Sequence, residues 1–153
     1  MTQQFHPFGE YMKKEGDELT ASMEDYLEMI ARLSLKHGFV RINELSEALN
    51  VQPPSATRMV QKLNDMELIQ YERYGYITLL EKGKSIGMAL LRRHQLLEEF
   101  FVCLLVDEHA ILEDTEKIEH TISPHTLKQI QLFITFMKEN TDIYSRWKEF
   151  NHK

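Results

Sequence analysis

The chain has 153 residues, with 24 acidic and 18 basic side chains, a formal net charge of −6 and an apolar fraction of 42%. That suffices for one domain, or two small ones, with an ordinary core. It has no run of about 18 apolar residues, so a helical membrane span is excluded.

The start, Met1-Thr2-Gln3-Gln4-Phe5-His6, lacks the basic-then-apolar order of a signal peptide. The single cysteine, Cys103, has no internal disulfide partner. Both features lead to the expectation of a cytoplasmic protein. An acidic total argues weakly against a nucleic-acid partner, but local charge matters more. Residues 53–84 carry five basic and four acidic side chains, whereas residues 89–153 carry eight and eleven.

Residues 1–21 mix Pro7, Gly9 and Gly16 with scattered charges and read as an arm, with at most a short helix near 10–15. Ser22 is placed to cap a helix over 23–36. Tyr26, Leu27, Ile30, Leu33 and Leu35 of that helix are expected to face a core, and His37-Gly38 ends it. A short second helix covers 41–49 with Asn43 as its cap, and residues 50–52 turn the chain. Pro53 and Pro54 open a third helix, where a missing N–H does little harm. Helix, tight turn and helix describe a helix-turn-helix. Two β-prone runs within 68–79 flank Tyr74-Gly75 and predict a hairpin, the position of a wing.

The second half is helical throughout. A long helix over 81–105 carries Gly83 and Gly87, which allow close packing. A further helix covers 108–120. Ser123-Pro124 starts another, to about residue 139, with Leu127, Ile130, Ile134 and Met137 at helical spacing. A short final helix surrounds Trp147. The expected fold is mainly α. It comprises the arm, 1–21, a winged helix-turn-helix DNA-binding domain, 22–88, and an all-helical metal-binding and dimerisation domain, 89–153.

The third helix offers Pro54 at its head and Ser55, Thr57, Arg58, Gln61 and Lys62 towards its exposed side. Hydroxyls and amides of this kind bond phosphates or base edges, and arginine can fork onto guanine. Arg73 and Tyr74 at the wing tip suit the minor groove or the backbone. Solvation alone explains any one of these residues equally well, but a helix-turn-helix followed by a wing has little other common use.

Glu116-x-x-Glu119-His120 places three ligand-type side chains at i, i+3 and i+4, on one helical face. Asp25 and Glu28 repeat the i, i+3 spacing upstream, and His94 lies on the long helix. Taken alone, His94 is more simply a surface or core histidine. Glu98 and Glu99 read as a solvated acidic edge, and Asp107, Glu108, Glu113 and Asp114 as helix-start charges. Four carboxylates and two imidazoles without a thiolate form a hard donor set that favours Mn²⁺ or Fe²⁺ over structural zinc. Cys103 sits in an apolar run and reads as core.

At Met-Glu-Asp-Tyr-Leu-Glu (23–28), Met-Val-Gln-Lys-Leu (59–63), Arg-His-Gln-Leu-Leu-Glu (93–98) and Ile-Glu-His (118–120), the chain resembles the diphtheria toxin repressor family, and within it the manganese-sensing members. The likeness spans residues 22–139. It implies a binuclear site with two Mn²⁺ per subunit, whose ligands fall on Asp25, Glu28, His94, Glu116, Glu119 and His120. Iron-sensing members carry methionine at the position of Asp25 and cysteine at that of Glu119, so oxygen at both implies manganese. The chain is similar to the shorter members, which lack a C-terminal SH3-like domain. Pro54 departs from the serine frequent at the head of the recognition helix, and Gly75-Tyr76 alters the wing.

The resulting expectation is a manganese-dependent repressor of uptake genes. It would be a homodimer on operator DNA, with no membrane and no small organic substrate as partner. An iron-responsive repressor of the same family is the alternative. A di-metal carboxylate enzyme is a weaker one, because such bundles need Glu-x-x-His from two helices and the residue three before His120 is Lys117. The stripe from Leu127 to Met137 is the candidate dimer face, unless it closes the core of its own subunit.

Overall fold

The computed structural model describes residues 19–72 and 75–153. Expectations for the arm before residue 19, and for Arg73 and Tyr74, lie outside the described residues. Among these residues the chain forms seven α-helices and one two-stranded sheet. They are α1 Ala21–His37, α2 Ile42–Ala48, α3 Pro53–Asp65, β1 Ile69–Tyr71, β2 Ile77–Leu79, α4 Glu81–Cys103, α5 Glu108–Ile118, α6 Pro124–Glu139 and α7 Thr141–Asn151. The chain divides into two units after Leu91, and α4 contributes residues to both. No helix among the described residues is long and apolar enough to cross a membrane.

In the N-terminal unit, α1 starts two residues earlier than Ser22 implies. Leu19 is buried in the core, which fixes the chain ahead of the helix. Thr20 then takes an extended conformation, and its side chain accepts a 3.2 Å bond from the Met23 N–H. Tyr26, Leu27 and Ile30 are buried and Leu33 packs against them, but Leu35 is 65% exposed. Leu35 lies in the last turn, past the edge of the packed face. Gly38 ends the helix at φ 77°, its N–H donating to the Ser34 carbonyl at 2.8 Å.

The second helix is capped by Arg41 rather than Asn43. The cause lies just before it: Val40 exchanges two backbone hydrogen bonds with Ile77, at 2.9 and 2.7 Å, and holds the chain extended to that point. Asn43 therefore lies inside the first turn, where its carbonyl accepts from the Ser46 hydroxyl. As expected, Pro53 and Pro54 open α3. The strands pair antiparallel with Ile69 opposite Leu79 and Tyr71 opposite Ile77. Val40, Leu45, Ala56, Val60, Leu63, Leu68, Ile69, Ile77 and Leu90 close one core with α1.

Two glycines seat α4 in this unit. A Cβ at Gly83 would lie 1.8 Å from the Leu68 carbonyl oxygen, so no other residue fits that backbone approach. A Cβ at Gly87 would lie 3.0 Å from the Ala31 Cβ and 3.2 Å from the Leu27 carbonyl oxygen, so α4 rests close on α1.

In the C-terminal unit, α4 stops at Cys103 because Leu105 turns left-handed at φ 63°. The N–H groups of Leu105 and Val106 then return to the carbonyls of Val102 and Phe101, both at 3.0 Å. Leu97, Ile130 and Ile134 form the buried core, with Leu96, Phe100, Ile118, Ile122 and Leu127 packed around it. Leu127, Ile130 and Ile134 of the Leu127–Met137 stripe thus pack within their own subunit. The exposed apolar side chains of α6 are Leu132 and Phe136, at 54% and 48%. The last helix buries no residue, and the Trp147 indole tethers it by donating to the Cys103 carbonyl at 3.1 Å.

Gly83 and Gly38 separate two kinds of glycine requirement. Gly83→Ala is expected to lower stability in urea unfolding by about 2–3 kcal/mol through overpacking. At Gly38 an added Cβ meets nothing, and Gly38→Ala should lose only the left-handed backbone preference, about 1 kcal/mol. Equal losses at the two positions would contradict the Gly83–Leu68 packing.

Candidate metal centre and nucleic-acid interface

The C-terminal unit brings together three of the six expected metal ligands. His94, on α4, is 4% exposed, and Glu119 is 2% exposed. The His94 Nδ1 lies 2.9 Å from the Glu119 Oε2, and the His120 Nε2 lies 3.6 Å from the Glu119 Oε1. One buried carboxylate is therefore shared by two imidazoles. Glu116 is exposed on α5 and makes none of these contacts.

The supporting geometry differs from one continuous helical turn. Helix α5 ends at Ile118, with Glu119 as its cap in a helical conformation, its N–H donating to the Thr115 carbonyl at 3.0 Å. His120 lies in the turn beyond, where the Thr121 and Ile122 N–H groups both return to the Ile118 carbonyl at 3.0 Å. The shared donation to Ile118 breaks the helical ladder just as the chain turns towards Ser123.

Two neighbours were not expected. Glu98, read from sequence as a solvated edge, presents its Oε1 2.8 Å from the His94 Nε2. It lies at i+4 on the same helix, and that spacing is the signal that marks it as a partner. Glu99 pairs with Lys138 of α6. The second neighbour is Arg93, whose Nη2 donates to the His120 Nδ1 at 3.4 Å; nothing in the sequence pattern indicates that contact.

This donor set fits a divalent cation. Both nitrogens of the buried His94 ring face carboxyl oxygens, at 2.9 Å from Glu119 and 2.8 Å from Glu98, so the ring lies in a cluster of oxygen donors. The donor atoms are oxygen and nitrogen with no thiolate, the kind a hard divalent metal takes. Cys103 is nearly buried, and burial first, then the charge of Glu99, pushes its thiol up, which disfavours the thiolate that metals bind.

In the N-terminal unit, Asp25 and Glu28 lie on α1 at i, i+3. Asp25 is exposed, while Glu28 is 8% exposed with an oxygen 3.5 Å from the Arg32 guanidinium. On α3 the buried face is Ala56, Val60 and Leu63, and the exposed stripe is Pro54, Thr57, Arg58, Gln61 and Lys62. Ser55 is half-buried beside it. The Thr57 hydroxyl donates to the Pro53 carbonyl at 3.0 Å, and the Gln61 amide donates to Asp65 at 3.0 Å. Both are exposed local bonds that a nucleic-acid group can replace.

The comparisons match this architecture. Residues 18–77 match the iron dependent repressor N-terminal DNA binding domain, and residues 80–148 match the iron dependent repressor metal binding and dimerisation domain. The chain belongs to the iron-dependent repressor family and is a metal-responsive, DNA-binding transcriptional regulator. It is 42% identical over 127 residues to the HTH-type transcriptional regulator MntR of Lysinibacillus sphaericus (strain C3-41), covering 83% of this chain and 91% of that one. It is 41% identical over 137 residues to MntR of Bacillus subtilis (strain 168), covering 87% and 96%. Among solved structures it resembles the manganese regulator SloR, with a TM-score of 0.65 and 30% identity over 77% of this chain. A manganese-dependent transcriptional repressor in complex with manganese superposes with the same TM-score at 27% identity over 74%. The chain spans only about half the length of those two solved chains, 55% and 53%.

The pairing of His94 with Glu119 has a measurable consequence without metal. Glu119→Ala in chelator leaves a buried imidazole nitrogen without its carboxylate and should lower stability by about 1–3 kcal/mol in urea unfolding. Glu113 is a fully exposed carboxylate on the same helix, held below the usual range by its hydrogen bond to Lys117 and then by that residue's charge. Glu113→Ala should leave the unfolding midpoint unchanged. An unchanged midpoint for Glu119→Ala as well would mean that the buried pair does not form.

Proposed function

We propose that this protein is a manganese-responsive repressor, cytoplasmic and homodimeric, that binds operator DNA when Mn²⁺ is bound and acts by binding rather than by catalysis. The observation that carries the reading is the buried Glu119 carboxylate held between His94 and His120, a hard donor set in a chain of the metal-dependent repressor family. Manganese rather than iron is supported by the names of the relatives and by oxygen ligands at Asp25 and Glu119.

The proposed ligands of two Mn²⁺ per subunit are Asp25, Glu28, His94, Glu116, Glu119 and His120. Bound there, the metal supplies positive charge that offsets the carboxylates and a ligand sphere shared among these side chains. The rest follows from the chain's own residues. Asp25 and Glu28 stand on α1, which packs on α3 through one core. Fixing α1 therefore fixes the helix that presents Ser55, Thr57, Arg58, Gln61 and Lys62. The ordering entropy is then spent before DNA arrives. By linkage, DNA strengthens metal binding by the same factor as metal strengthens DNA binding. The proposed DNA-contacting set also includes Pro54 and the wing residues Arg73 and Tyr74.

The test is fluorescence anisotropy of a labelled duplex, selected by the protein from a random pool in Mn²⁺, titrated in Mn²⁺, Fe²⁺, Zn²⁺ and chelator. Mn²⁺ is expected to tighten binding by about 10- to 100-fold over chelator, more than Zn²⁺ or Fe²⁺. Asp25→Ala, an exposed position that should not disturb folding, is expected to remove the Mn²⁺ effect. Stronger activation by Fe²⁺ would favour the iron-responsive alternative, and binding indifferent to chelator would end the metal-sensing reading.

A further inference from the structure

From Leu35 to Asn43 the chain carries Lys36, His37 and Arg41 and no carboxylate, although acidic residues outnumber basic ones overall. The structure turns this stretch into one exposed surface with the wing. Phe39 packs on Tyr76 with ring centroids 4.4 Å apart, and His37 lies 5.9 Å from Phe39. The Arg41 guanidinium lies 4.9 Å from the centre of the Tyr76 ring and donates to the Tyr76 hydroxyl at 3.1 Å. The paired backbones of Val40 and Ile77 fix both side chains from below.

Among the described residues no carboxylate pairs with Arg41, yet its fork is held in one place by a ring face and a hydroxyl. Holding a flexible cation in a fixed position against solvent loses entropy and gains only a modest cation–π attraction at an exposed site. Tyr76 is itself 49% exposed. A planar guanidinium fixed this way keeps most of its five donors for an outside acceptor, and the acceptor it matches best is a phosphate or carboxylate oxygen pair. The basic, aromatic-interleaved surface around it favours a continuous polyanion over a single acidic side chain.

We infer that Arg41, positioned by Tyr76, is a phosphate-backbone contact at the base of the wing. It would add affinity for any duplex DNA without reading its sequence. The inference rests on the DNA-binding reading above, and extends the DNA-contacting surface from α3 and the wing tip to the Val40–Ile77 bridge. Phosphate contacts position a protein on the duplex, and base contacts specify the site. Arg41 and Arg58 therefore differ in role: loss of Arg41 weakens all sequences alike, whereas loss of Arg58 erodes the preference for the selected duplex.

The experiment measures binding in Mn²⁺ of the full-length protein to the selected duplex and to a random-sequence duplex of the same length, across a salt series, with thermal melts alongside. Arg41→Ala is expected to weaken both duplexes by a similar factor, roughly three- to tenfold, and to reduce the magnitude of the salt slope by about one, as for one phosphate contact. Tyr76→Phe keeps the charge and the ring, so it should leave the salt slope unchanged and weaken both duplexes by a smaller factor. Arg41→Lys should restore the slope but not the full affinity.

If Arg41→Ala melts early, Arg41→Gln, which keeps the stem of the side chain, supplies the slope. An unchanged slope in a folded Arg41→Ala or Arg41→Gln protein, with wild-type and Arg58→Ala behaving as DNA binders should, overturns this inference alone. A wild-type protein that binds neither duplex in Mn²⁺ overturns the DNA-binding reading on which it rests. Loss confined to the selected duplex would make Arg41 a base reader, and also overturns the inference.

Discussion

A carboxyl group that is 2% exposed has lost its partners in water and must find others within the protein. Glu119 carries that group, and its neighbours are two imidazoles, one of which is itself buried and faces a second carboxylate, Glu98. The cluster is built from the middle of α4 and the turn after α5, elements held together by the Leu97, Ile118 and Ile130 core. The core sets the positions, and the positions gather oxygen and nitrogen donors of the kind a hard divalent metal takes. On the proposed reading, sensitivity to metal would arise from this buried cluster.

The N-terminal unit depends on a different constraint, the close approach of backbones. Gly83 against Leu68 and Gly87 against Ala31 bring α4 onto the segment that leads into β1 and onto α1. Helix α1 carries Asp25 and Glu28 and shares its core with α3, whose outer stripe holds Thr57, Arg58, Gln61 and Lys62. The proposed ligands on α1 and the proposed DNA contacts on α3 therefore belong to one packed body. Packing this tight transmits a fixed position better than a loose interface does. On the proposed reading, it gives a physical route by which a ligand on α1 would bear on the outer stripe of α3.

Much of this was legible from the residues. The paired prolines opened α3, Gly38 closed α1, and the β-prone runs on either side of Tyr74-Gly75 marked the hairpin, because each acts through local backbone geometry. What the sequence misplaced depended on tertiary contacts. The caps at Thr20 and Arg41 follow from the burial of Leu19 and the Val40–Ile77 pairing, which no local pattern contains. The Leu127–Met137 stripe had the right periodicity but no means of showing whether its partner was another subunit or Leu97 of its own. At the site, the convergence of His94, Glu119 and His120 was foreshadowed by their residue types, whereas the contact of Arg93 with His120 emerged only once the turn after α5 was placed beside α4. Glu98 was within reach of the i, i+4 rule; Arg93 was not.

On the proposed reading, Glu119 is a metal ligand rather than one half of a structural ion pair. Equilibrium dialysis against Mn²⁺ in the absence of DNA, with metal and protein counted in the same sample, tests it most directly. The account predicts two Mn²⁺ per subunit in the wild-type protein and loss of tight binding in Glu119→Gln, which retains the shape and a hydrogen-bonding oxygen but not the charge. Full Mn²⁺ loading of Glu119→Gln at unchanged affinity would contradict it.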